Sequence, residues 1–113
     1  MSFHTHFLHL EILYDKMYVN IHSLESQGAK MRILICDDDT LIIEQLQKYI
    51  ESYFESNHLK CPELVSFTSG ESLLAEKSEK DIVFLDIEMP GMNGIYVGNE
   101  LKKANKKCHY FLW

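Results

Sequence analysis

The stretch Asp81 to Gly94, reading Asp-Ile-Val-Phe-Leu-Asp-Ile-Glu-Met-Pro-Gly-Met-Asn-Gly, constrains the fold more than any other part of this chain. Ile82 to Leu85 form an unbroken apolar run, too short for a typical globular helix and lacking the polar alternation of a half-solvated strand. The run therefore reads as a strand buried on both faces, which demands cover on each side of a sheet. Pro90, Gly91 and Gly94 then punctuate a loop, so Asp86 stands where a buried strand opens into a ligand-accessible segment. That edge is where open α/β sheets bind ligands.

A second run of the same kind, Ile33, Leu34, Ile35 and Cys36, ends in three consecutive acids, Asp37, Asp38 and Asp39. Beyond them Leu41, Ile42, Ile43, Leu46, Tyr49, Ile50, Tyr53 and Phe54 recur at helical spacing. Asp39 suits the N-cap of that helix. Three adjacent acids exceed what a cap needs. Residues 55–63 are polar and contain Pro62, hence a loop, and Glu63 to Phe67 reads as a further short strand. Thr68-Ser69-Gly70-Glu71 matches a capping box with Thr68 at the cap, opening a helix through Leu73, Leu74 and Ala75 that ends near Lys80. After the strand 81–86, Asn93 caps a helix from Gly94 to about Asn105, with Ile95, Leu101 and Ala104 as its expected inner face. Cys108 to Trp113 is apolar and strand-like.

Strands alternating with helices imply parallel strands joined by right-handed crossovers, so all strands end on one edge of the sheet. If the strand before Asp37 pairs with the strand before Asp86, about 4.8 Å away, then Asp37, Asp38 and Asp86 converge at the switch point between them. Two carboxylates about 4 Å apart repel by roughly 4 kcal/mol at an effective dielectric of about 20. Such a cluster takes up a proton or recruits a cation, and Mg²⁺, which prefers oxygen ligands and keeps several waters, is the expected guest. With a phosphoryl group screened by the metal, a carboxylate can attack phosphorus and form an aspartyl phosphate. Asp86, alone at its strand end, is assigned that role. The plainer alternative makes Asp37 to Asp39 a helix N-terminal acid cluster and Asp86 a turn residue; it leaves the convergence of two strand ends unused.

Composition narrows the partners. The chain has 113 residues, 46% hydrophobic and 25% charged, which suits one globular domain, and its formal net charge of -6 argues against nucleic-acid or anionic-membrane surfaces. Lys102, Lys103, Lys106 and Lys107 read as the solvated end of a helix, complementing its dipole. Cys36, Cys61 and Cys108 form no CxxC pair and their odd number leaves no complete disulfide framework, which points to reduced thiols and a cytoplasmic setting. No apolar stretch approaches the roughly 20 residues that span a bilayer.

Residues 1–30 show no clean period and are expected to be a tail or a marginal helix outside the domain. Met1 to Leu13 carries His4, His6 and His9 but no Lys or Arg, so a secretory leader is not expected, and the histidines lack Cys or carboxylate partners at metal-site spacing. Permitted codons for Gln27-Gly28-Ala29 can spell a purine-rich ribosome-binding sequence just before Met31, so residues 1–30 are expected to be translated leader and residues 31–113 the domain.

The segments Ile-Leu-Ile-Cys-Asp-Asp-Asp and Ile-Val-Phe-Leu-Asp-Ile-Glu-Met-Pro-Gly-Met-Asn-Gly closely resemble the receiver domain of two-component response regulators, over Met31 to about Lys107. The resemblance implies an α/β fold, a three-layer flavodoxin-like parallel sheet of order 2-1-3-4. It implies Asp38 as a direct Mg²⁺ ligand, Asp37 as its water-mediated helper, Asp86 as ligand and phosphoacceptor, and the backbone carbonyl of Glu88 as a further metal oxygen. A histidine kinase is the implied partner. Ser66 to Leu74 is similar to receivers that precede a LytTR-type DNA-binding domain.

Receivers also carry a Thr or Ser ending a fourth strand and a Lys ending a fifth, and neither position is found here. Codons permitted for Cys108-His109-Tyr110-Phe111, read one base later, can spell Ala-Ile-Ile-Phe, a more usual fourth strand. The expectation is thus a truncated or frameshifted receiver, lacking the final strand and last two helices and impaired in its response. Such a fragment would have an unprotected apolar edge strand, weak stability and a tendency to self-associate. A competing enzyme reading is a haloacid-dehalogenase-like phosphatase using Asp86, since Phe84-Leu85-Asp86-Ile87-Glu88 resembles its strand with acids two apart. That family normally has Asp as the second acid, its nucleophile strand first and a larger domain. A third reading is a fragment without function.

Overall fold

A computed structural model of the protein describes residues 31–77 and 80–112, so the expectations for residues 1–30, the histidine cluster included, lie outside it. The elements follow in the order β1 (Arg32–Cys36), α1 (Thr40–Ser56), β2 (Glu63–Phe67), α2 (Gly70–Ala75), β3 (Ile82–Leu85), α3 (Gly94–Ala104) and β4 (His109–Leu112). All strand pairs are parallel, as the alternation implies, and the sheet runs β2-β1-β3-β4, the order implied by the family resemblance. The strand expected within Cys108 to Trp113 forms over His109 to Leu112 and pairs in register with all of β3, from Ile82 opposite His109 to Leu85 opposite Leu112.

The two apolar runs take the centre of the sheet because only there are both faces of a strand covered. Every residue from Ile33 to Cys36 and from Ile82 to Leu85 is buried. Side chains alternate between the faces. Leu34, Cys36, Val83 and Leu85 share one cluster with Leu73 of α2 and Val97 and Leu101 of α3. The buried stripe of α1, Ile43, Leu46, Ile50, Tyr53 and Phe54, belongs to none of that cluster. Its cover is the opposite face, where Ile33, Ile35, Ile82 and Phe84 point, and the result is three layers.

Helix boundaries follow local chemistry. Asp39 caps α1 as expected, its Oδ1 accepting from the Leu41 amide at 2.9 Å. The helix closes with His58 in the left-handed region at φ 57°, its amide donating to the Glu55 carbonyl while Leu59 donates to Phe54. The cap of α2 falls one residue later than expected and the capping box does not form: Ser69, not Thr68, is the cap, and its Oγ accepts from the Ser72 amide at 3.2 Å. That helix also ends at Ala75, well short of Lys80.

The inner face of α3 differs from the expected one. Gly94, Val97, Gly98 and Leu101 are buried, whereas Ile95 is 51% exposed and Ala104 lies on the surface. Glycine lets neighbours approach: the Tyr110 ring of β4 lies so close that a Cβ on Gly98 would stand 2.5 Å from Cε2. At the opposite end of the sheet, Asp81 anchors two chain starts. Its Oδ2 accepts from the Arg32 amide at 2.8 Å and its carbonyl from the His109 amide at 2.9 Å.

Candidate metal centre

Adjacent strands β1 and β3 place Cys36 opposite Leu85, so the residues that follow them, Asp37 and Asp86, leave the sheet side by side. The Asp86 amide donates to the Cys36 carbonyl at 2.9 Å and the Asp37 amide to the Phe67 carbonyl at 3.1 Å. These bonds extend the ladders by one residue and hold both backbones in place. Asp37 and Asp86 are buried, at 1% and 5% exposure, while Asp38 is exposed. Each of the three offers a carboxylate oxygen lying within 4.8 Å of the others. Among the described residues this is the one such cluster of His, Cys, Asp or Glu side chains.

Both buried carboxylates are oriented in the same way. Asp37 Oδ1 accepts from the Asp39 amide at 2.9 Å, and Asp86 Oδ1 accepts from the Glu88 amide at 3.1 Å, each two residues ahead. Burial pushes the Asp37 carboxyl from 3.8 up to about 7; the Asp39 amide pulls it back, and the charges of Asp86, Asp38 and Asp39 raise it further. The Cys36 thiol registers the same field. It is pushed up to about 12, by burial first and then by Asp37, Asp86 and Asp38.

This donor set fits a hard divalent cation. It consists of oxygens only, it carries excess negative charge in a partly desolvated pocket, and its buried members are held in fixed orientation by amides. The Glu88 carboxylate is not among the converging groups; Glu88 is exposed, and its link to the site is through its backbone.

In the loop after Asp86 the sequence marks Gly91 and Gly94 as turn residues, but it does not show the packing of Met89. Met89 turns inward at 8% exposure, and the Cys36 thiol donates to its sulfur at 3.5 Å, tying this loop to the end of β1. The Gly94 amide donates to the Ile87 carbonyl at 3.0 Å, closing the loop on itself, and Gly91 takes φ 81° at its apex. A large apolar residue between Glu88 and Pro90 in a short loop is the signal that could have marked Met89.

A family model for the response regulator receiver domain matches residues 33–112. The chain belongs to the response regulator receiver family. Its curated relatives include the sensory transduction protein LytT of Oceanobacillus iheyensis, 33% identical over 75 residues, 65% of this chain and 28% of LytT. A cyclic di-GMP phosphodiesterase of Thermotoga maritima is 28% identical over 82 residues, 73% of this chain and 20% of that protein. The chain thus spans less than a third of either relative. Among solved structures, the response regulator TrrA of Thermotoga maritima in complex with Mg²⁺-BeF is 32% identical, with TM-score 0.61, covering 73% of this chain and 67% of TrrA. TrrA in complex with the histidine kinase ThkA aligns with TM-score 0.60 at the same identity, covering 73% of this chain and 66% of that one. No helix among the described residues of this receiver is long and apolar enough to cross a membrane.

Proposed function

We propose that this receiver accepts a phosphoryl group on Asp86, with Mg²⁺ held by Asp86 and Asp38 directly, by Asp37 through water, and by the backbone carbonyl of Glu88. The observation that carries the proposal is the convergence of three carboxylate oxygens within 4.8 Å at the end of two paired parallel strands. The relative TrrA, solved with Mg²⁺ and BeF, supports the same use of the site, since beryllofluoride imitates a phosphoryl group. Its complex with a histidine kinase supports a phosphohistidine as the donor.

In this reading the ionised Asp86 oxygen attacks phosphorus, the O–P bond forms as the P–N bond to the donor imidazole breaks, and the imidazole leaves with its electron pair. When bound, Mg²⁺ supplies the positive charge that offsets repulsion between carboxylates and phosphoryl oxygens. Asp86 is aimed by the Glu88 amide and fixed through its own amide to Cys36. Burial and its acidic neighbours raise the Asp37 carboxyl to about 7, so a bound cation would draw it toward its ionised form. The module itself signals and does not turn over substrate. The resemblance of Ser66 to Leu74 to receivers that precede LytTR-type domains, and the relative LytT, a sensory transduction protein, support a role in sensory transduction.

Incubation with acetyl phosphate and Mg²⁺ tests the proposal: one phosphoryl group per chain is expected, mapped to Asp86, and lost in Asp86→Asn. Steady release of phosphate from a generic phosphomonoester would instead favour a phosphatase, and no labelling in wild type would refute the acceptor role.

A further inference from the structure

The β3–α3 connection turns back on the acceptor so closely that one position tolerates no side chain. A Cβ built on Gly94 would fall inside contact distance of the Asp86 carbonyl oxygen, 2.9 Å from Ile87 Cα and 3.1 Å from the Asp86 carbonyl carbon. All three atoms are backbone, so no rotamer change relieves the overlap. One peptide unit earlier, the Asp86 amide donates to the Cys36 carbonyl of β1 at 2.9 Å. The main chain of Asp86 is therefore held between β1 and the first turn of α3.

We propose that Gly94 is a positioning residue for the phosphoryl acceptor: its missing side chain lets α3 rest against the Asp86 backbone, and that contact sets where the Asp86 carboxylate stands relative to Asp37 and Asp38. The inference rests on the acceptor role proposed above and assigns the control of its geometry. Three further contacts make the arrangement stiff. The Gly94 amide donates to Ile87 at 3.0 Å, the Asn93 side chain accepts from the Ile95 amide at 2.7 Å, and Met89 is anchored by Cys36 at 3.5 Å. An added methyl group moves either the helix start or the strand end, and the carboxylate oriented by the Glu88 amide moves with it. Displaced ligands of this kind cost metal sites about 10–100-fold in affinity.

Two other glycines supply controls. A Cβ on Gly98 would meet the Tyr110 ring, at 2.5 Å from Cε2, and one on Gly70 would meet Val97 Cγ2 at 2.7 Å and Met92 Sδ at 3.0 Å. Those neighbours are side chains, not the Asp86 backbone.

The test compares Gly94→Ala with Gly98→Ala and Gly70→Ala, each checked for folding by urea denaturation. Mg²⁺ affinity is measured by calorimetry, and the metal-free backbone by amide NMR. Gly94→Ala is expected to lose at least about tenfold in Mg²⁺ affinity and to shift the Asp86 and Glu88 amides, while the two controls lose stability but keep wild-type affinity. Should Gly94→Ala bind Mg²⁺ as wild type does, the inference is overturned. If wild type binds no Mg²⁺, the acceptor reading falls first; the amide shifts then decide the positioning role on their own, and unmoved Asp86 and Glu88 resonances overturn it. Should Gly94→Ala fail to fold, the same substitution in a background stabilised by His58→Gly replaces it under the same criteria.

Discussion

Asp86→Asn is expected to stabilise the metal-free protein while abolishing its response to Mg²⁺. Two unit charges 4.8 Å apart, the outer separation in the cluster, repel by about 3.5 kcal/mol at an effective dielectric of about 20. Asparagine keeps an oxygen for the Glu88 amide and removes the charge, so little is lost in exchange. Some of the repulsion is relaxed by water at exposed Asp38, and about 1–3 kcal/mol is expected to appear as stability. The pH dependence gives the sign. The Asp37 carboxyl stands at about 7 in the fold against 3.8 ordinarily, so the folded state binds more protons between those values and metal-free wild type loses stability as pH rises from about 4 to 7. Burial is the larger cause and remains in the variant, so the slope is reduced but not abolished. Urea denaturation in EDTA near pH 8 should show the variant ahead of wild type, with the gap closing near pH 5.5, where Asp37 is already protonated. Excess Mg²⁺ should raise wild type alone. A variant less stable than wild type near pH 8 in EDTA, or one that Mg²⁺ stabilises equally, would refute the reasoning.

Because Mg²⁺ and a proton compete at Asp37, apparent Mg²⁺ affinity should fall by up to about tenfold per pH unit below pH 7 and level off above it, as read by calorimetry across that range. His58→Gly should stabilise the protein by about 0.5–1 kcal/mol in urea denaturation, because His58 sits at φ 57° in a helix-closing position that favours glycine. Asp81→Ala should cost about 1–3 kcal/mol by leaving the Arg32 amide without its acceptor, with no change in Mg²⁺ affinity, since Asp81 lies at the other end of the strands.

The strands and the acidic cluster were legible because they rest on the strongest local signal, short apolar runs ending in charge. Once those runs are parallel and adjacent, Asp37 and Asp86 have nowhere to go but together. What escaped depends on shape. Periodicity placed Ile95 and Ala104 on the inner face of α3, but the face is set by Gly94 and Gly98, which carry no hydrophobic signal and are buried because the Asp86 backbone and the Tyr110 ring come so close. Thr68 and Ser69 are chemically alike as caps, and sequence does not distinguish which hydroxyl reaches the first free amide. Leu41, counted in the apolar repeat of α1, is 66% exposed because it lies on the side of the helix opposite Ile43 and Ile50. Met89 stands in a loop punctuated by Pro90 and Gly91, and its burial against Cys36 follows from a tertiary contact 53 residues away in sequence.

The central claim is that Asp37, Asp38 and Asp86 form one site for Mg²⁺ and a phosphoryl group, and titration with beryllofluoride in the presence and absence of Mg²⁺ tests it most directly. Followed by ¹⁹F NMR and calorimetry, the account predicts one bound beryllofluoride per chain, only with Mg²⁺ present, and none in Asp86→Asn or Asp37→Asn. Binding that survives both substitutions, or that needs no metal, would contradict it.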